Sequence, residues 1–114
     1  MHEYSELVAL LDLFQREVHN TARSKGWWDS PHQETGTKIA LMHSELSEAL
    51  EAARHDNPDD PHVSEFGNLE IELADCVIRI LDFCEKCGLS LAEAMVAKAE
   101  FNKGREHKHG GKKF

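Results

Sequence analysis

Apolar residues recur at helical spacing almost from the start of the chain. Leu7, Leu10, Leu11, Phe14 and Val18 fall on one face of a helix expected over about Glu3 to Lys25. Arg23 and Lys25 suit its last turn, and Gly26 its end. Trp27 to Glu34, which contains Pro31, reads as a loop. A second helix is predicted from Thr35 to His55, with Ile39, Met42, Leu46, Ala49, Leu50 and Ala53 as its apolar face. Asn57-Pro58 and Asp60-Pro61 force a loop over Asp56 to His62. A third helix is predicted to begin between Ser64 and Asn68 and to run to Cys87, where Gly88 stops it. Ser90 and Glu93 have the spacing of a capping box, opening a fourth helix at Leu91 that is expected to reach about His107, before Gly110-Gly111. No period-two alternation and no solenoid-length repeat interrupts this pattern. The expected fold is all-α: one four-helix, bundle-like domain over residues 1–114, with 105–114 as a basic tail.

The third helix departs from simple amphipathicity. Leu69, Ile71, Leu73, Ala74, Cys76, Val77, Ile78, Ile80, Leu81, Phe83 and Cys84 surround nearly its whole circumference, so it is expected to be buried. Glu72, Asp75, Arg79 and Asp82 nevertheless follow one another at steps of three, four and three, drawing one narrow polar stripe along it. Ionisable groups inside a bundle are costly unless paired or bound to metal. A stripe facing water is the usual explanation of such charges, but its narrowness favours a lined cavity.

Charge and cysteine usage narrow the function. The 114 residues carry a formal net charge of -8, which argues against a general nucleic-acid binder. From Lys98 onward the balance reverses: Lys98, Lys103, Arg105, Lys108, Lys112 and Lys113 face only Glu100 and Glu106. That tail is either a solvated end or a phosphate-facing segment over an acidic site. Met1 to Glu6 is polar and no apolar run approaches bilayer length, so neither a signal peptide nor a membrane is expected. Three cysteines, an odd number, point to the cytoplasm and to free thiols. Cys84-x-x-Cys87 lacks the second pair of a structural zinc site and reads as core.

The second helix supplies a partner for the polar stripe. Glu45 and Glu48 share a face at the border of its apolar side, and a short connection makes the two helices antiparallel neighbours. Glu45, Glu48, Glu72 and Asp75 would then converge. Four carboxylates cannot stay ionised together without cations, and an all-oxygen donor set suits magnesium, with manganese as a substitute. Two such ions can clamp a phosphoryl group and activate water.

Glu45-x-x-Glu48, twenty-three intervening residues and Glu72-x-x-Asp75 resemble the signature of the MazG-type all-α NTP pyrophosphohydrolases. The likeness runs from Lys38-Ile-Ala-Leu-Met through Ala74-Asp75-Cys-Val-Ile-Arg-Ile-Leu-Asp82 to Lys98-x-x-x-Asn102-x-x-Arg105 and a His109-Gly-Gly-Lys112 tail like that of short, single-domain members. It implies magnesium-dependent hydrolysis of an NTP or dNTP to the monophosphate and pyrophosphate. It implies magnesium held by Glu45, Glu48, Glu72 and Asp75, with Glu45 or Glu48 positioning or deprotonating the water. Lys98, Asn102 and Arg105 match positions that contact phosphates or sugar, some or all of them supplied by a neighbouring subunit. Lys38 either approaches phosphate or is a solvated helix start. Trp27 and Trp28 either stack on a base or plug the bundle, with at most one, Trp28, expected to touch nucleotide. Asp82 orients Arg79 or a metal-bound water, or ends a structural ion pair, and the histidines are expected mostly on the surface. A homodimer or homotetramer is expected, because a lone bundle of this size cannot cover the third helix.

Three rivals differ in chemistry. A di-iron carboxylate bundle needs Glu-x-x-His on its helices, and the sequence has this spacing only at Glu106–His109. An HD-type metallohydrolase would use His55-Asp56, which stands at a helix end without other well-placed histidines. A non-enzymatic helical interaction module would use the polar stripe to hold a partner.

Overall fold

The computed structural model describes residues 3–30 and 34–105. Within them four helices follow one another: α1 (Ser5–Ser24), α2 (Thr35–Arg54), α3 (Asn68–Cys87) and α4 (Leu91–Lys103). They form a four-helix, all-α bundle. The fourth helix is shorter than the sequence pattern suggests, ending at Lys103 with Gly104 as its cap. Residues 106–114, most of the expected basic tail, lie outside the described residues, as does Pro31. No helix among the described residues is long and apolar enough to cross a membrane.

Pairings across the helices fix the topology. Glu45 of α2 meets Arg79 of α3, and Asn57, just after α2, meets Leu69. Positions fall along one strand of the hairpin as they rise along the other, so α2 and α3 are antiparallel. Gln15 bonds Glu85 and His19 bonds Asp82, which sets α1 antiparallel to α3 on its other side. α4 packs mainly against α1, with the Lys103 ammonium 5.9 Å from the Tyr4 ring. α3 is therefore the central element.

The helix ends have local causes. Gly88 terminates α3 in the left-handed region, φ 67°, and Leu89 N–H closes back on the Cys84 carbonyl at 2.8 Å. Ser90 does sit at the start of α4, but its side chain makes no capping bond, so the expected capping box is not formed. The start of α3 is capped from a distance instead. Asn57, itself left-handed at φ 49°, accepts the Leu69 N–H at 2.6 Å. Asn68 N–H reaches the Pro58 carbonyl at 2.7 Å, and Asp59 and Gly67 form an isolated bridge. The two X-Pro steps thus set a stiff connection that grips both helices.

The buried apolar residues are mostly small: Ala49, Ala52, Cys76, Cys84 and Ala92, with Leu81 as the one large member. α2 turns Glu45, Ala49 and Ala52 inward, at steps of four and three. Alanines leave room for close approach, and Cys76 Sγ comes within 3.5 Å of the Met42 carbonyl on the facing helix. This orientation corrects the face expected for α2, because Ile39, Leu46 and Leu50 are exposed at 42 to 53%. α1 is rotated likewise: Gln15 and His19 are buried while Leu7, Leu10 and Phe14 are exposed. α3 is not covered all round either, since Leu73, Val77 and Ile78 face outward. Of the cysteines, all free, Cys76 and Cys84 are buried and Cys87 is exposed, so only two of the three are core.

A methyl group on Gly67 would meet the Asn57 side chain at 2.3 to 2.7 Å and dislodge the cap of α3. Gly67→Ala should therefore destabilise the chain by about 1–3 kcal/mol, measured by urea denaturation. In an Asn57→Gly background the same change should cost much less, because the clashing atoms are gone. Equal costs in both backgrounds would show that Gly67 matters for another reason.

Candidate metal centre

Close packing of α2 on α3 brings carboxylates together. Glu45, Glu72 and Asp75 each present a ligand atom, and these atoms lie within 4.8 Å of one another. At that spacing each ionised pair repels by about 3–4 kcal/mol at an effective dielectric constant of about 20. Part of this is offset by Arg79, whose Nε donates to Glu45 Oε1 at 3.0 Å, with both side chains largely shielded from solvent. Arg79 is the single cation paired with the triad among the described residues.

Glu72 sits where the repulsion is least relieved. Its carboxyl is pushed up from the ordinary 4.5 to about 8, first by burial, then by hydrogen bonds with Glu48 and Glu45, then by their charges. Asp75 is raised too, first by burial and then by the Glu45 charge, against which Arg79 acts, with Asp60 and Glu48 adding to the rise. No amine, amide or hydroxyl among the described residues donates to the buried Glu72 Oε2. Glu72 Oε1 is held. The Asn68 amide, turned so that its nitrogen faces the carboxylates, donates to Glu72 Oε1 at 3.2 Å and to Asp60 Oδ1 at 2.8 Å.

Of the four acids expected to converge, three form the triad and Glu48 stands beside it. Glu48 is exposed and, with Glu72, Asn68, Glu51 and His55, lines a cleft of about 350 Å³. Glu45, Asp75 and Arg79 open on another cleft, of about 330 Å³, whose other walls include Trp27, Lys25, Val18 and Ile78. Glu72 thus borders one cleft, and Glu45 and Asp75 the other. Its donors are hard oxygens only, the set that suits a divalent cation such as magnesium or manganese. His55 bonds Glu51 at 3.0 Å and takes no part in the triad.

The remaining expected residues separate into two groups. Asp82 is bonded to His19 Nδ1 at 2.7 Å and to Trp28 Nε1 at 2.9 Å, whereas Arg79 takes Glu45, so the two do not pair with each other. Lys38 Nζ lies 4.0 Å from the centre of the Trp28 ring, and Lys86 adds a second cation at 5.8 Å. Trp28 is thereby fixed as a tie between the loop, α1 and α3. Trp27 is the indole that lines the triad-side cleft, 54% exposed with the Arg79 guanidinium 5.4 Å from its ring. Lys98, Asn102 and Arg105 are exposed on or just after α4, and none lines either cleft. The Lys98 and Arg105 cations instead lie against the Phe101 ring, at 4.6 and 5.5 Å.

Sequence reasoning missed His19, Asp60 and Asn68, and of the two indoles it favoured Trp28, whereas Trp27 lines the triad-side cleft. His19 is buried, not on the surface, because Asp82 needs its ring. Its signal was present: Gln15 and His19 are polar residues four apart beside the apolar face of the first helix. Asn68 stands one turn before Glu72 on the same face, a spacing as informative as that of the acids themselves. Compared with models of known protein families, with curated proteins and with solved structures, the chain finds no match.

The raised carboxyl of Glu72 sets a pH dependence. Its folded-state value, about 8, lies above the ordinary 4.5, so the folded chain favours the neutral acid. The stability this contributes is complete below the ordinary value and is lost as pH rises from about 4.5 through about 8. Glu72→Gln, which is always neutral, should melt with wild type at about pH 4.5 and above it at about pH 9, with chelator present. Magnesium should raise the wild-type melting temperature at the higher pH and leave Glu72→Gln nearly unmoved. Parallel melting of the two proteins at both pH values would mean that neither burial nor the neighbouring acids raise the Glu72 carboxyl.

Proposed function

We propose that the chain is a magnesium-dependent nucleoside triphosphate pyrophosphohydrolase of the MazG-like kind. Water would attack an NTP or dNTP between the first and second phosphates, giving the monophosphate and pyrophosphate. The observation that carries this reading is the Glu45/Glu72/Asp75 triad, in which one buried Glu72 oxygen receives no amine, amide or hydroxyl donor. Such crowding of carboxyls is what a divalent cation would relieve. The Glu-x-x-Glu and Glu-x-x-Asp motifs and their likeness to the MazG-type signature add the substrate class.

In this reading Glu45, Glu72 and Asp75 would hold magnesium, which would supply charge neutralisation for the phosphates and activation of the attacking water. Glu48, exposed beside the triad, takes the proton of the attacking water. Arg79 and Lys25 on the triad-side cleft offer positive charge to the phosphates. Trp27 offers an open ring face to a base, a role better suited to it than to the tethered Trp28. Lys38 and Asp82 hold Trp28 in place and so shape the entrance.

Lys98, Asn102 and Arg105 fit only if a second copy brings them to the cleft. An assembly is supported by the exposed Ile39, Leu46 and Leu50 on α2 and Leu73 and Val77 on α3, which leave apolar surface that water must cover. We place the chain in a homodimer or homotetramer for this reason. Free Cys76, Cys84 and Cys87 fit a cytoplasmic setting.

The test is a screen of NTPs and dNTPs with magnesium, reading monophosphate and pyrophosphate. Asp75→Asn and Glu48→Gln should each lower kcat/KM by at least about a hundredfold, the scale of removing one electrostatic partner from a phosphoryl or acyl transition state. Near-native turnover in either variant would remove that residue from the site, and no pyrophosphate from any nucleotide would leave the interaction-module reading standing. Light scattering should show a dimer or larger, and Leu50→Glu should shift it toward monomer. A fully active wild-type monomer at micromolar concentration would rule out the assembly.

A further inference from the structure

The loop between α2 and α3 holds a buried polar device that the proposed chemistry does not use directly. Asp60 is only 4% exposed. Its Oδ2 accepts the backbone N–H groups of His62 and Val63, at 2.9 and 2.8 Å, and its own N–H donates to the Phe66 carbonyl at 2.9 Å. Asp60 is thus fixed by the loop backbone, with Oδ1 pointing to the Asn68 amide. Asn68 is the first residue of α3, and its backbone is anchored to the Pro58 carbonyl. An amide –NH₂ has two hydrogens, and here one serves Asp60 and the other Glu72.

We propose that Asn68, oriented by Asp60, is a positioning residue for Glu72: it pins Glu72 Oε1 so that Oε2 is presented to a divalent cation. The inference rests on the metal-binding reading of the triad and deepens it. Three features carry it. First, a neutral amide could point either half at Glu72, and only the Asp60 carboxylate, an acceptor alone, fixes the nitrogen in place. Secondly, Glu72 has several rotatable bonds, and its ionised form, the one that binds a cation, is repelled by Glu45 and Glu48 and would turn away from the cluster if nothing held it. Thirdly, the two oxygens of Glu72 differ: Oε1 accepts the Asn68 amide, whereas the buried Oε2 receives no amine, amide or hydroxyl donor. Outer-shell hydrogen bonds of this kind orient ligating carboxylates, and removing one weakens metal affinity by about 10–100-fold.

Calorimetric titration with manganese alone, without nucleotide, tests the proposal. Wild type should bind and Glu72→Gln should not. Asn68→Ala and Asp60→Asn should each bind about 10–100-fold more weakly, with a circular-dichroism spectrum that remains helical. If Asp60 acts through Asn68, the double variant should bind no more weakly than Asn68→Ala alone. A merely structural Asp60 would show a further, additive loss. Should Asn68→Ala not fold, Asn68→Gln keeps the amide but displaces it by one methylene and gives the same reading. Wild type that binds no manganese, or Glu72→Gln that binds like wild type, overturns the triad as a metal centre and this inference with it. Tight binding by wild type, none by Glu72→Gln and wild-type affinity in Asn68→Ala overturns the positioning role alone.

Discussion

The close approach of α2 to α3 is the constraint from which the rest follows. Ala49 and Ala52 on one helix and Cys76 on the other leave too little side chain to hold the axes apart. At that separation the inward-facing acids cannot avoid one another, and Glu45, Glu72 and Asp75 are left sharing a space with Arg79. Small side chains and crowded charge are thus two aspects of a single packing decision. The raised carboxyls of Glu72 and Asp75 follow from it.

The helical pattern was legible because four runs of helical periodicity are separated by Gly-Trp-Trp, Asn-Pro, Asp-Pro and Gly88, each of which acts locally. The central place of α3 was legible from its apolar circumference, and the clustering of Glu45, Glu72 and Asp75 from their spacing. What the sequence could not show is which way each helix is turned. Leu46 and Leu50 outscore Ala49 and Ala52 on any hydrophobic scale, yet the alanines face inward. Orientation is decided by the fit between two surfaces, and a single helix carries only one of them. The same blindness hid His19: its burial depends on Asp82, far along the chain, as its partner. Asn68 and Asp60 were hidden because their roles exist only once the loop returns on itself.

The two indoles illustrate how neighbours separate chemically equal residues. Trp27 and Trp28 are adjacent in sequence and alike in every property that composition records. Asp82, Lys38 and His19 occupy the edge and surroundings of Trp28, while Trp27 is left at the mouth of a cleft. An exposed aromatic thus stands beside a tethered one.

The triad is drawn wholly from one helical hairpin. Its members span only Glu45 to Asp75, whereas the cleft walls contributed by α1 meet α3 across far longer stretches of chain, from His19 to Asp82 and from Gln15 to Glu85. Closing a short loop costs less chain entropy than closing a long one, so the hairpin is the part of the molecule that can nucleate folding. The charge cluster then arises with the nucleus and not on a finished scaffold. Its mutual repulsion therefore opposes the very hairpin that brings it together.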